Sequence, residues 1–121
     1  MIQQMAWLGL AVKDIDAATQ YYTEKLGLTV DEKESVPHFY TQFSLNGGGA
    51  VLALVSREDA KQGFDQSFDT ALIVADADAA YTQFKANGVE LLGEPVDAPF
   101  GRTFLFRTPD GHILRVLKPP M

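Results

Sequence analysis

One segment of this chain occurs twice. Residues 12–18, VKDIDAA, recur as residues 74–80, VADADAA, and the same displacement of 62 residues carries Tyr22 onto Phe84. Because the displacement also holds near the end of each half, we expect two copies of one folded unit. Two copies are too few for a solenoid, so the halves should form a pseudo-twofold pair in which each covers apolar surface of the other. The predicted organisation is one domain, 1–121, with repeat units 1–62 and 63–121.

Each half gives the same order of secondary-structure signals. In the first, 7–12 alternates as a buried strand, Asp14 is placed to cap a helix, and Gly27 is placed to end it. In the second, Asp76 and Gly88 take these two roles. Three short extended runs follow each helix, at about 28–31, 39–45 and 50–55, and at about 90–92, 103–106 and 112–117. Each unit is therefore predicted to be βαβββ.

These elements together predict an α+β fold. Two pseudo-twofold-related βαβββ modules would form one curved, mixed, eight-stranded sheet. The helices would pack on its outer face, and its concave inner face would be left open as a ligand cleft.

Composition narrows the classes of function. The formal net charge is −6, from 16 Asp and Glu against 10 Lys and Arg, so the chain lacks the basic surface that tracks nucleic-acid phosphates. It contains no cysteine, which excludes disulfides, thiolate metal sites and cysteine nucleophiles. The N-terminus lacks the pattern of a signal peptide, and no apolar run approaches the ~20 residues of a membrane span. We expect a cytoplasmic protein that binds neither nucleic acid nor membrane.

Two segments resemble a known superfamily. Val12-x-Asp14, ahead of an amphipathic helix that closes on 21–28, and the late hairpin 104–112, FLFRTPDGH, resemble the vicinal oxygen chelate superfamily. That superfamily contains glyoxalases, extradiol dioxygenases, epimerases, fosfomycin-resistance enzymes and metal-free bleomycin-resistance proteins, so the resemblance implies the fold and leaves several functions open. The chain is most similar to the bleomycin-resistance-like members. The resemblance also implies a homodimer, whose second chain could complete the cleft.

The resemblance implies four positions for metal ligands. Enzymes of the superfamily hold a divalent ion with side chains from the first and last strand of each unit, and the matching positions here are Trp7, Ala53, Asp69 and Arg115. Indole and methyl groups do not ligate a divalent ion, and a guanidinium is repelled by one, which leaves a single carboxylate. We therefore expect no metal, no other cofactor and no catalytic residue at these positions.

Some of the candidate residues have two open interpretations. Arg115 either offers its guanidinium to a carboxylate or phenolate ligand, or is a structural partner of Asp69 in the place where an ion would sit. Trp7 is either a flat wall on which a ligand stacks or a tryptophan of the core, and both interpretations predict that it faces inward. His38 is interpreted as a surface histidine of a turn rather than as a group at the mouth of the cleft.

The middle strands are rich in aromatic side chains. Alternation places Arg102, Phe104 and Phe106 on one face of their strand, without deciding whether that face lines the cleft. The segment 99–101, PFG, is either a flexible lip over the cleft or a tight turn.

The leading hypothesis is metal-independent sequestration of a small aromatic or planar molecule. The alternative is a metal-dependent lyase, isomerase or dioxygenase of the glyoxalase type whose ligands are displaced from the matched positions, since a one-residue slip would turn each strand over. A third class is an interaction module without a ligand. The predicted ligand-binding residues are Trp7, Ala53, Asp69, Arg115, Phe43, Phe100, Arg102 and Phe104.

Overall fold

The computed structural model describes residues 1, 3, 7–45, 47, 50–56 and 70–120 of the 121-residue chain. The chain divides into two units, Met1–Lys61 and Gln62–Met121, and the described part of each has one helix and one sheet. The predicted α+β class is therefore confirmed. Over the described ranges the strands form a four-stranded and a five-stranded sheet, which corrects the prediction of one eight-stranded sheet. Over the same ranges, no helix is long and apolar enough to cross a membrane.

The first unit has the order strand, helix and three strands. Its elements are β1 (Trp7–Val12), α1 (Ile15–Glu24), β2 (Thr29–Val30), β3 (Tyr40–Ser44) and β4 (Val51–Ser56). They form the sheet β1-β4-β3-β2, in which β1 and β4 run parallel and the other neighbours run antiparallel. The strands of this half lie close to the predicted bounds.

Local chemistry fixes the ends of α1. Asp14 accepts a hydrogen bond from the Ala17 N–H at 3.0 Å, which satisfies one of the donors that the start of a helix leaves unpaired. Beyond the last turn, Gly27 takes φ 77°, a left-handed conformation that suits glycine. The buried residues of the helix follow the spacing of one helical face. They are Ile15, Ala18 and Tyr22.

The helix α1 covers one face of the first sheet only. The Tyr22 ring stacks on Phe43 with 5.5 Å between centroids, and the hydroxyl of Thr41 hydrogen-bonds to a threonine of α1. Because side chains alternate along β3, its neighbouring residues Tyr40 and Gln42 project from the other face. Among the described residues of this unit, one face of the first sheet is covered by α1 and the other by no helix, and we call them the helix-covered face and the helix-free face.

The second unit has one strand more than predicted. Its elements are β5 (Ala71–Ile73), α2 (Ala77–Ala86), β6 (Glu90–Leu91), β7 (Val96–Ala98), β8 (Gly101–Arg107) and β9 (Ile113–Lys118). They form the sheet β5-β9-β8-β6, and β7 also pairs with β8. The sequence does not predict β7, because Pro95 and Pro99 enclose it and have the character of turn residues.

The aromatic side chains of β8 pack under α2. The Phe84 ring lies 5.9 Å from Phe104 and 5.3 Å from Phe106 between centroids, and both β8 rings are almost fully buried. Phe104 therefore lies in the core, and so does Phe43 in the first unit, although both were predicted to bind ligand. The physical reason is their large apolar area, which is best removed from water between a helix and a sheet.

The parallel strand pairs of the two units share one register. Gly9 pairs with Ala53 between β1 and β4, and Ala71 pairs with Arg115 between β5 and β9. Both members of the second pair lie 62 residues after those of the first, which is the displacement of the sequence repeat. The pseudo-twofold relation, the concave cleft and the single domain stay predictions.

Candidate functional site

The helix-free face of the first sheet carries an aromatic and hydrogen-bonding cluster. The strand register places Gly9, Ala53 and Gln42 side by side across β1, β4 and β3. Trp7 and Tyr40 lie on the same face, on β1 and β3. We call these five residues the Trp7 cluster.

The Trp7 indole lies over the backbone of Gly9. A Cβ atom added at Gly9 would meet Cη2 of the ring at 2.0 Å and Cζ2 at 2.5 Å, so only glycine leaves room for the indole there. Trp7 nonetheless keeps 48% of its surface exposed. Of its two interpretations, a tryptophan of the core does not fit this exposure.

Two hydrogen bonds hold the indole in place. Its Nε1–H donates to the Tyr40 hydroxyl at 2.9 Å, and that hydroxyl donates to Oε1 of Gln42 at 2.9 Å. The first bond joins β1 to β3 across β4, where Ala53 is fully buried. The small methyl group of Ala53 leaves room for the bonded side chains above it. The ring is therefore held in position before any ligand arrives.

Gly9→Ala is expected to displace the Trp7 ring. The new methyl group would overlap the ring edge, so the indole must move away and lose its bond to Tyr40. We expect tryptophan emission to shift to longer wavelength and its quenching by acrylamide to rise. The free energy of unfolding should fall by about 1 kcal/mol, the net value of one hydrogen bond. Since Trp7 is the only tryptophan, the spectrum reports this ring alone.

Gly47→Ala is the matched control for this substitution. Apart from its chain neighbours, a Cβ atom at Gly47 meets no atom of the described residues within 4 Å, so the variant should keep the emission spectrum of the wild type. If Gly9→Ala also kept that spectrum, the described position of the indole over Gly9 would be contradicted.

In the second unit, the helix-free face of the sheet carries Arg115. Its Nη1 donates to the Thr103 hydroxyl at 3.0 Å, and its guanidinium carbon lies 5.3 Å from the centre of the Phe100 ring, a cation–π distance. Thr103 in turn donates to the Val116 carbonyl at 2.8 Å. These contacts orient the guanidinium, as both of its predicted roles require. Asp69, its predicted partner, lies outside the described residues.

A close approach of two backbone segments lies next to Phe100. Gly101 has φ 138°, and a Cβ atom there would lie 2.3 Å from the Lys118 carbonyl oxygen. Only glycine therefore fits at the start of β8. The two residues before it form a turn, which agrees with the interpretation of 99–101 as a tight turn.

Arg102 points to the helix-covered face of its strand. Its Nε and Nη2 donate to Asp78 on α2 at 3.0 Å, and its Nη1 donates to Asp97 on β7 at 3.0 Å. The hydrogen bonds to Asp78 and then to Asp97 raise the pKa of Arg102 above its ordinary value, because they stabilise the charged form. A cavity of about 530 Å³ borders this group at the start of α2. Arg102 thus links β8, α2 and β7, on the face opposite to Arg115.

His38 lies in the turn before β3 and adopts φ 72°, which is uncommon for a residue other than glycine. Its Nδ1 lies 2.7 Å from Oδ2 of Asp16 on α1, and both side chains are mostly exposed. They border a groove of about 330 Å³ that Thr19 and Ser35 also line. This position agrees with the interpretation of His38 as a surface histidine.

The positions that the resemblance assigns to metal ligands do not fit a divalent ion. Trp7 can only donate through its N–H, Ala53 presents a methyl group, and Arg115 is cationic. The fourth position, Asp69, is outside the described ranges. Elsewhere in those ranges, no three or more His, Cys, Asp or Glu come together in a group that could hold a metal ion. The three matched positions that the structure describes therefore supply no ligand for a divalent ion.

Three residues of the Trp7 cluster are absent from the predicted site: Gly9, Tyr40 and Gln42. A polar residue two places after a tyrosine, opposite the small residue Ala53 of the neighbouring strand, is the signal that could reveal Tyr40 and Gln42. That signal becomes visible only when the register of β3 against β4 is known. The seven predicted residues that the structure describes, all but Asp69, fall in three places: Trp7 and Ala53 in the Trp7 cluster, Arg115 and Phe100 in mutual contact on the second unit, and Phe43, Phe104 and Arg102 on the helix-covered faces.

The sequence and the fold both have clear relatives. A family model described as Glyoxalase/Bleomycin resistance protein/Dioxygenase superfamily matches residues 4–116. Among known proteins, the chain is 27% identical over 115 residues to the uncharacterized protein YetH of Bacillus subtilis (strain 168), covering 93% of this chain and 96% of that one. A solved glyoxalase/bleomycin resistance protein/dioxygenase from Nocardioides is 26% identical, with a TM-score of 0.76 over 98% of this chain and 85% of that one. TnmS3, an antibiotic binding protein from Streptomyces sp. CB03234, is 24% identical, with a TM-score of 0.76 over 98% of each chain.

Proposed function

Because this chain belongs to the glyoxalase/bleomycin resistance protein/dioxygenase superfamily, we propose that it binds a small planar aromatic molecule without a metal ion and acts by sequestering it. The observation that carries the proposal is the Trp7 indole, which is half-exposed, seated over Gly9 and hydrogen-bonded to Tyr40. A large aromatic side chain on a helix-free face exposes apolar area to water, and a flat ligand would cover it.

The fixed position of the indole favours ligand binding. Its N–H is bonded and its edge rests on Gly9, so little side-chain freedom is left to lose when a ligand packs against it. Aromatic pairs of suitable geometry contribute about 0.5–1.5 kcal/mol beyond the area they bury. Tyr40 and Gln42 supply polar groups beside the ring, and a few fixed polar groups are what gives an apolar site its specificity.

The charge of the chain bears on the kind of ligand. The net charge of −6 favours a cationic molecule through long-range attraction. Arg115, held beside Phe100 in the second unit, is a separate candidate contact for a carboxylate or phenolate. A test therefore needs ligands of both signs of charge.

One solved neighbour, TnmS3, is an antibiotic binding protein, which is the reason to include an antibiotic in the test. At 24% identity, this likeness shows the fold alone, and the ligand class rests on the Trp7 cluster. The bleomycin-resistance-like subtype, the homodimer and the cytoplasmic location belong to the same proposal and stay predictions.

Titration of the single tryptophan tests the proposal. The protein is titrated with bleomycin, riboflavin and 9-fluorenone-2-carboxylate, which are cationic, neutral and anionic, and each titration is repeated after dialysis against EDTA. We expect saturable quenching of Trp7 by at least one compound of this panel, with a dissociation constant on the order of 1 μM that EDTA leaves unchanged. N-acetyltryptophanamide in the same buffer corrects for light absorbed by the compounds.

Two other results would contradict the proposal and point to different functions. Binding that is lost after EDTA and recovered with Zn²⁺, Mn²⁺ or Fe²⁺ would favour the metal-dependent enzyme, as would a stoichiometric metal content in the purified protein. No saturable quenching with the whole panel would favour an interaction module without a ligand.

A further inference from the structure

Donor and acceptor roles in the Trp7 cluster run in one direction. An indole N–H can only donate, so the Tyr40 hydroxyl accepts from Trp7 at 2.9 Å. A hydroxyl has a single proton, and Tyr40 donates it to Gln42, also at 2.9 Å. A carboxamide accepts only through its oxygen. The bond to Tyr40 therefore places the Gln42 amide oxygen toward that hydroxyl and Nε2 on the other side of the amide.

The amide nitrogen of Gln42 ends this series of bonds. Its oxygen is committed to Tyr40, and Nε2, with two N–H groups, makes no hydrogen bond to any residue in the described part of the chain. The backbone of Gln42 is held on both sides, since its N–H donates to the Ser35 hydroxyl at 2.9 Å and its carbonyl accepts from the Asp31 N–H at 2.7 Å. The two donors are thus presented from a fixed position, on the face where Gln42 lies opposite Ala53.

We infer that Gln42 makes the Trp7 cluster selective for planar aromatic molecules that carry a carbonyl oxygen at the edge of the ring. This inference rests on the proposed function and narrows its ligand class. A ring packed on Trp7 displaces water from Nε2, and a ligand with an acceptor oxygen replaces the hydrogen bonds that the water made. A ligand without one leaves the donors unpaired, and unpaired polar groups are a strong basis for rejecting an analogue.

A matched pair of ligands tests the inference without any mutation. 9-Fluorenone-2-carboxylate and fluorene-2-carboxylate share ring frame and charge and differ by one ring carbonyl. Calorimetric titration of the full chain should give about ten-fold tighter binding of the fluorenone. Equal binding of the two would overturn the inference and leave the proposed function standing. Binding of neither would also overturn the inference, whereas the proposed function fails only when no compound of the panel quenches Trp7.

The substitution Gln42→Glu isolates the role of the amide nitrogen. Glutamate keeps an oxygen that accepts from Tyr40 and replaces Nε2 by a second carboxylate oxygen, which repels a carbonyl. We expect the preference for the fluorenone to fall to parity or to reverse. Both ligands carry the same charge, so the long-range repulsion from the added negative charge weakens the binding of both alike. A change in the ratio of their affinities therefore reports the loss of the amide N–H groups. A full wild-type preference in Gln42→Glu would overturn the inference.

Two further variants complete the test. Gln83→Glu adds the same charge at an exposed position of α2 and should keep the wild-type preference. Tyr40→Phe removes the hydroxyl that fixes the amide, so the amide can turn its oxygen toward the ligand and the preference should fall to an intermediate value. Thermal unfolding followed by circular dichroism verifies that each variant is folded. The comparison of the two ligands on the wild-type protein does not depend on any of the three variants.

Discussion

Trp7→Ala should weaken binding of the ligand that quenches the indole by about 30-fold. The substitution removes a half-exposed ring that is already held in position, and truncation of such an aromatic contact typically costs about 2 kcal/mol. Trp7→Phe keeps a smaller ring without the N–H donor and should lose about five-fold in affinity. Calorimetry measures both changes, because neither variant retains the fluorescent residue.

The matched control for this loss is Val96→Ala. Val96 is an apolar residue of the second unit with 57% of its surface exposed, so its truncation removes apolar area without altering any member of the Trp7 cluster. The affinity should stay within about two-fold of the wild type, as expected for a surface substitution. Wild-type affinity in a folded Trp7→Ala variant would remove the Trp7 cluster from the proposed function.

Phe106→Ala should lower the free energy of unfolding by about 3–5 kcal/mol. Its ring is fully buried and lies 5.3 Å from that of Phe84 between centroids, so the substitution loses aromatic burial and leaves a cavity under α2. For a domain whose total stability is about 5–15 kcal/mol, this is a large share. Chemical denaturation followed by circular dichroism measures the change.

Phe100→Ala makes the same chemical change at an exposed position. Phe100 keeps 48% of its surface exposed, so its truncation should cost less than about 1 kcal/mol of unfolding free energy. An equal loss of unfolding free energy in the two variants would contradict the burial of the Phe106 ring. The pair therefore tests which aromatic side chains of this unit belong to the core.

Local signals were sufficient to predict the two helices and the first strand. Asp14 and Asp76 each accept a hydrogen bond from the N–H three residues further on, as their place before each apolar stripe predicts. The predicted strand Trp7–Val12 is confirmed as well. It could be predicted because the alternation of its side chains is a local pattern that needs no distant partner. Strand pairing is different, since it joins residues far apart in the chain, and the division into two sheets has no local signal.

The side of each strand that faces the helix was harder to predict where both sides are apolar. In β8, Phe104 and Leu105 point to opposite faces, and only the packing of α2 decides that Phe104 is in the core. The Trp7 cluster shows a second limit. Trp7 could be singled out by its position in β1, whereas Tyr40 and Gln42 join it only once three strands are in register. Side-chain hydrogen bonds across strands are therefore the part of the site that the sequence left unpredicted.

The close backbone approach at the start of β8 sets a rule for engineering this protein. With the Lys118 carbonyl oxygen 2.3 Å from where a Cβ atom would stand, a residue with a side chain at position 101 would force the neighbouring segments apart. Phe100, one residue earlier, is half-exposed and reaches the guanidinium of Arg115. A directed-evolution library on this turn should vary codon 100 freely and hold codon 101 as glycine, because mutational tolerance changes completely between these two adjacent positions.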